Sequence, residues 1–292
     1  MTIINANKWI PVEKGDEVLT MINQSSAAEN SLRRANMASD LFEVPKMGST
    51  EVHVLQKEEQ YPVDTPNLDS VALKAYKFGS LFPIAWEDSE DARPDLISSL
   101  QMQWAGDYAS KLDNAVFGTT AVKNGTTVPF DSFYSVAKAG GSYTATAGNL
   151  TFDQISGAFG AYEESKYYAE RDSIIVASPA FKQALRGLTD ANGNHIFIES
   201  VSVAQPSTIL GVPVQFSAGL RTSATAEVNP AGNPLMFIGS KNAGVLGVRS
   251  GPEFQVSTDA QFETDTTLLK ARSRRGFAVC HDGFSMLELT TA

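Results

Sequence analysis

A chain of 292 residues, 42% hydrophobic and 19% charged, can bury a large core as one large or two modest domains, and its charge content falls below the roughly 25% usual for soluble domains. Its formal net charge of −10 opposes DNA binding as a primary task, and three histidines with one cysteine exclude an intrachain disulfide and leave too few ligands for a Cys/His zinc site. The N-terminus lacks a basic start followed by an apolar run, and no segment approaches the roughly 20 apolar residues of a membrane span.

Residues 1–24 carry scattered apolar positions (Ile3, Ile4, Trp9, Ile10, Val18, Leu19, Met21) broken by Pro11 and Gly15. They read either as an arm lying on a neighbour or as an N-terminal strand docked on its own subunit. Glu51–Gln56 and Val71–Lys77 alternate in polarity, while the polar segment between them holds Pro62 and Pro66; the pattern predicts a long projecting hairpin. The acidic run Asp88–Asp95 precedes the strongest helix, with Asp91 or Arg93 expected near its cap and Pro94 in its first turn. Ile97, Leu100, Trp104, Tyr108, Leu112 and Ala115 form its apolar stripe, Asp107 and Lys111 are spaced for an i,i+4 pair, and Gly118 ends it. About 24 residues make a rod of roughly 36 Å.

Residues 119–149 show no clear period and predict loops with a short hairpin. Thr151 then caps a helix, Gln154 completes a capping box, and Ile155, Phe159 and Tyr162 form its stripe. Tyr167 and Tyr168 read as packing aromatics rather than a base-stacking platform. Ser173–Ser178 predicts a buried strand, followed at Pro179 by a short helix carrying Phe181, Leu185 and Leu188. A turn at Asp190–Asn194 leads to Ile196–Ile198 and a strand from Ile209 to Phe216. Further strands are expected at Leu235–Ile238, Gly244–Val248, Glu253–Val256 and Thr266–Val279. Helices and strands mixed early, then mostly strands, indicate an α+β fold.

Chemistry-bearing motifs are absent: no phosphate-binding or dinucleotide glycine loop, nucleophile elbow or zinc-protease helix occurs. Asp190–Asn194 begins like a calcium loop, but Gly193 precedes its donor and Val201 stands where the bidentate glutamate belongs. Cys280 and His281, adjacent in an expected strand, would point to opposite faces, with Cys280 packing as a small buried hydrophobe. No catalytic, cofactor-binding or metal-ligating residue is assigned. An enzyme reading would need a carboxylate site built from Glu163, Glu164 or Asp172.

Pro179, the Leu185/Leu188 pair, Asp190 with Gly193, Ile196-Phe197, Pro206 and the tract Leu210-Gly-Val-Pro-Val214 together resemble the tailed-bacteriophage major capsid protein, the shell subunit whose fold is named for the Hong Kong phage. Asp265–Ala271, Arg275–Val279 and Phe284–Leu287 resemble its closing strands. The resemblance implies an N-terminal arm and lead-in (1–49), an extended hairpin loop (50–80), a peripheral domain with a spine helix (81–150), an axial domain (151–258) and return strands (259–292). It implies hexamers and pentamers tiling an icosahedral shell around double-stranded DNA, assembled in the host cytoplasm and found in the virion. Separate scaffolding, portal and decoration proteins are the implied partners, without membrane contact; with Met1 as the natural start, no cleaved scaffolding segment precedes the arm.

Some relatives seal the shell through an isopeptide bond between lysine and asparagine assisted by a glutamate. The resemblance puts Thr266 at the asparagine position and Ser273 at the glutamate position, so Lys46 and Lys57 are expected to be unreactive and the shell non-covalent. Glu58 and Glu59 at the hairpin tip are expected to meet Arg272, Arg274 and Arg275 of another subunit. An encapsulin-like nanocompartment holding a cargo enzyme is the alternative within the same fold.

Overall fold

The computed structural model describes residues 26–48, 50–91, 95–147, 150–188, 197–198 and 207–290. Two sheets and a two-stranded ribbon carry the α+β architecture. A four-stranded sheet runs in the order Arg33–Asn36, Gly244–Gln261, Thr266–Val279, Tyr76–Ala85, with the first pair parallel and the others antiparallel. A seven-stranded sheet runs Tyr143–Ala147, Phe284–Thr290, Leu235–Ser240, Ser173–Ala177, Val212–Phe216, Thr208–Ile209, Phe197–Ile198. Leu41–Met47 and Leu68–Lys74 form the separate antiparallel ribbon.

The spine helix spans Leu96–Asp113 and continues as a π-helical turn over Asn114–Gly118, ending where the sequence places its end. Its cap is Asp95, whose carboxylate accepts from the N–H groups of Ile97 and Ser98, rather than Asp91 or Arg93. Asp91 instead closes a separate short helix, Trp86–Asp91, and Arg93 lies outside the described residues. Asp107 accepts from the Gln103 amide one turn back. The wide final turn has a cause in packing: a Cβ on Gly118 would sit 2.3 Å from the Arg221 carbonyl oxygen. The buried Asn114 side chain also donates to the carbonyls of Gly219 and Arg221 and accepts from Glu227 N–H, fastening the helix end to the 217–227 loop.

Ser173–Ala177 and Leu235–Ser240 are buried at every position, which explains their unbroken apolar runs. Alternate side chains serve two cores. Ile174, Val176 and Phe237 face the core shared with the spine helix, whereas Ile175, Ala177, Met236 and Ile238 face helices Phe152–Glu163 and Phe181–Arg186. Gln154 Oε1 accepts from Thr151 N–H, so the expected capping interaction forms.

Several elements differ from the sequence reading. The stretch expected to be loops contains a helix, Phe133–Gly140, capped by Ser132 and closed by Gly141 at φ 83°, and then strand Tyr143–Ala147. The single strand expected at Ile209–Phe216 is a tight hairpin, because Leu210 and Gly211 both take positive φ (49° and 84°), the geometry of a two-residue turn. Among the described residues Glu51–Gln56 has no strand partner; the hairpin strands lie outside it at Leu41–Met47 and Leu68–Lys74. Phe284–Thr290 pairs with residues 235–240 and Tyr143–Ala147 lies beyond it in the same sheet, so that sheet crosses the expected boundaries at 150 and 258. The arm over 1–24, the turn Asp190–Asn194, Ile196, Val201 and Pro206 lie outside the described residues.

Phe133 is fully buried with its ring centroid 4.6–5.4 Å from those of Phe117, Phe237, Phe277 and Phe284, joining helix and both sheets. Phe133→Ala is expected to destabilise the subunit by about 3–5 kcal/mol, read as a lowered urea midpoint.

Candidate functional site

The residues expected to meet a neighbour lie on the ribbon tip and on the strand Thr266–Val279 of the four-stranded sheet. The ribbon is held at its base by Phe42 and Val44, which pack with Met37, Leu73 and Val245. Beyond Met47 and Leu68 the tip carries Val52, Val54, Tyr61 and Val63 at 81–98% exposure. A soluble monomer gains nothing from such side chains, and a contiguous set of them marks a contact surface. Glu58 and Glu59 are exposed there. Glu58 has φ 70°, and Glu59 accepts from Gln56 N–H, so the acidic pair sits on a turn.

The three expected arginines divide between two environments because neighbours on a strand face opposite sides. Arg272 and Arg274 share the outer face with their cross-strand partners Gly79 and Lys77. There they line, with Arg249 and Glu253, a shallow depression of about 660 Å³. Arg272 pairs with Glu253 at 2.8 Å and Arg274 with Asp40 at 2.6 Å, both pairs partly exposed. Arg275 points inward. Its side chain is 4% exposed, pairs with Glu29 at 2.7 and 2.9 Å, donates to the Ser250 carbonyl and lies over the Tyr108 ring. It ties the short helix Ala27–Ser31 and the spine helix to the sheet, and burial removes it from the expected inter-subunit set. Tyr108 packs beside it, its hydroxyl pushed up to about 12 chiefly by burial.

A second buried charge, unmarked by any sequence pattern, is Asp113. Its carboxylate accepts from Ser26 and Ser217 hydroxyls at 2.6 Å and from the N–H groups of Ala27 and Ala28 at 2.9 Å, capping the short helix Ala27–Ser31. Burial pushes this carboxyl above its ordinary value despite the opposing pull of those hydrogen bonds. The only hint in sequence is Asp113 beside Leu112 on a helix face that is otherwise apolar.

No group of metal-ligating side chains occurs among the described residues, and Glu163, Glu164 and Asp172 do not assemble into one. Ser273 is fully buried and donates to the Tyr108 hydroxyl at 3.2 Å, so the position the resemblance gives to a base is a packing hydroxyl. Cys280 and His281 lie just past the strand that ends at Val279, both with N–H directed at the Ala243 carbonyl. Cys280 is half-buried rather than buried, and its thiol is raised by burial. His281 stacks on Tyr167 at 4.1 Å, its imidazole lowered by burial, while Tyr168 packs edge-on to Tyr162.

The model of the Phage capsid family matches residues 9–288, nearly the whole chain. The chain belongs to the phage capsid family. Solved structures agree in fold: one from Microbacterium phage Oxtober96 superposes with TM-score 0.76 at 17% identity over 98% of both chains. One from Mycobacterium phage Bobi gives 0.74 at 17% identity, again over 98% of both. The capsid of a native GTA particle gives 0.71 at 15% identity, over 99% of this chain and 100% of that one. No curated protein matches the chain. The subunit is a structural major capsid protein, and among the described residues of this capsid subunit no helix is long and apolar enough to cross a membrane.

Two outcomes follow from its buried charges. Arg275→Ala, which strands Glu29 and empties the Tyr108 face, should cost about 3–5 kcal/mol in urea unfolding, whereas Arg272→Ala should cost under about 1 kcal/mol. Because the folded-state pKa of Asp113 exceeds its unfolded one, the native state binds more protons between the two values. Its contribution to stability is therefore largest below about pH 4 and falls as pH rises through the folded value. Asp113→Asn should flatten that slope in unfolding midpoints measured across acid to neutral pH.

Proposed function

We propose that the subunit builds hexamers and pentamers of an icosahedral shell that encloses double-stranded DNA, through geometry and without catalysing a reaction. The observation that carries this reading is the family match over 9–288 in a chain whose projecting ribbon displays apolar side chains to solvent. The four-stranded sheet with the spine helix would serve as the peripheral domain. The seven-stranded sheet, around residues 151–258, would form the axial domain near the capsomer centre. Scaffolding, portal and decoration functions would come from separate proteins, and assembly would take place in the host cytoplasm. With net charge −10, packaged DNA would be confined rather than bound.

The ribbon tip would overlap the neighbouring subunit, with Glu58 and Glu59 meeting Arg272 and Arg274. Charge complementarity supports this pairing: Lys77, Arg249, Arg272 and Arg274 surround one depression with Glu253 the single acid among them. Such contacts are individually weak, but several per subunit add through multivalency. Thr266 and Ser273 offer neither an amide electrophile nor a carboxylate base, which supports non-covalent closure.

Electron microscopy of the purified protein, alone and with its scaffold, should show hollow shells or capsomer rings, with DNA inside mature particles. A monodisperse monomer or dimer under all conditions would refute the reading, and a folded enzyme inside would reassign it to a nanocompartment. Mature particles should run as one subunit band on a denaturing gel; a cross-linked ladder would refute non-covalent closure. Glu58→Lys with Glu59→Lys should raise the concentration needed for assembly, and unchanged assembly would exclude the charge pairing.

A further inference from the structure

Tyr76–Ala85 is the outer strand of its sheet, paired on one side only, with Thr266–Val279. Among the described residues, no backbone hydrogen bond reaches its other edge. Along that edge lies a groove of about 560 Å³ whose walls are residues 76–80 with Phe82 on the strand, Trp104 and Tyr108 on the spine helix, and the 125–129 loop. Gly79, Ser80 and Leu81 are exposed there, Leu81 at 57% and Met102 of the nearby helix at 48%. An unpaired strand edge beside a groove lined by Phe78, Phe82 and Trp104 together with Asp107 and Lys111 is a template for an added strand, and proteins that keep such an edge free blunt it with charges or proline, here Lys77 and Pro83 at its two ends. Lys77 is the one charged side chain on residues 76–82.

The same chain holds a segment with the complementary defect. Glu51-Val-His-Val-Leu-Gln56 alternates as strands do, yet among the described residues of its own subunit it has no ladder partner, and Val52 and Val54 are 89% and 98% exposed. In an extended conformation its two faces would differ: Val52 and Val54 on one side, Glu51, His53 and the partly buried Leu55 on the other. The two flanks of the open edge differ in the same sense. On the inner flank Phe78, Phe82 and Trp104 line the groove, and on the outer flank Lys77, Arg272 and Arg274 line the basic depression.

We propose that residues 51–56 of one copy add as a fifth strand to the open edge of residues 76–82 in a second copy. Val52 and Val54 enter the groove of Phe78, Phe82 and Trp104, and Glu51 faces the cationic flank. The inference rests on the shell reading and adds to it a disorder-free mechanism: a backbone ladder, indifferent to exact side-chain identity, carries the contact, and the side-chain pattern fixes which face is up. The acidic turn at Glu58 and Glu59 follows within three residues, bringing it to the basic depression that shares Tyr76 and Lys77 with the groove.

Hydrogen exchange on assembled particles and on the same particles dissociated tests it. The amides of 51–56 and of 76–82 should slow together by about tenfold or more on assembly and recover on dissociation. Shells that form while 51–56 exchange as fast as in free subunits would overturn strand addition and leave the shell reading standing. Absence of any assembly would overturn both. Because amides alternate in direction along a strand, His53→Pro and Val54→Pro cannot both spare the ladder. At least one should raise the assembly concentration by about tenfold, while the free subunit melts as wild type and Val63→Pro, at a position 91% exposed, assembles normally. Wild-type assembly by both proline variants would overturn the proposal.

Discussion

The strand Thr266–Val279 is paired on both edges over nearly its whole length, and that constraint positions most of what the subunit presents outward. On one edge it fixes Gly244–Gln261, and through it Arg33–Asn36; on the other it fixes Tyr76–Ala85, which leads straight from the ribbon. Its inward side chains Ser273 and Arg275 meet Tyr108 of the spine helix, while its outward Arg272 and Arg274 define the cationic face. Period-two alternation thus assigns consecutive arginines to opposite tasks. A slip of one residue would expose Arg275 and bury Arg274 without its Asp40 partner, so the register is strongly specified.

Buried charge plays a different part at two nearby points on the spine helix's inner face, Tyr108 and Asp113. Arg275 is tolerable because Glu29, the Ser250 carbonyl and an aromatic face replace water around it. Asp113 is tolerable because every donor it meets is a hydroxyl or a backbone N–H, two of them at a helix start. Both groups hold residues 26–31, the stretch that follows the N-terminal segment. Residues 26–31 are therefore fixed by polar contacts of definite geometry, whereas the sheets meet the helices through non-directional apolar packing.

Sequence alone gave access to elements whose local and global preferences agree. Thr266–Val279 is legible to the residue, because its alternation coincides with real two-sided pairing. The spine helix and the Thr151 capping interaction are legible for the same reason. The helix Phe133–Gly140 escaped notice because its Ser132 cap and Gly141 stop are submerged in a stretch already rich in Ser, Thr, Ala and Gly. Leu210 in a left-handed conformation breaks what looks like a continuous strand, since that role ordinarily falls to Gly or Asn. Among the site residues, composition identified the acidic tip and the arginine run, but burial of Arg275 depends on Glu29, 246 positions away, and no local pattern encodes it. Glu51–Gln56 is the instructive case: its alternation is genuine, but among the described residues of its own subunit no strand pairs with it.

The projecting element is only two strands wide, joined by seven cross-strand pairs from Leu41↔Lys74 to Met47↔Leu68. A ribbon of that width resists stretching along its ladder but bends and twists far more readily than the broad sheets behind it. When identical copies must meet at unequal local curvature, elastic strain concentrates in the most compliant link. In the shell proposed above the ribbon would be that link, and the cores of neighbouring copies could stay alike while the joints between them differ in angle.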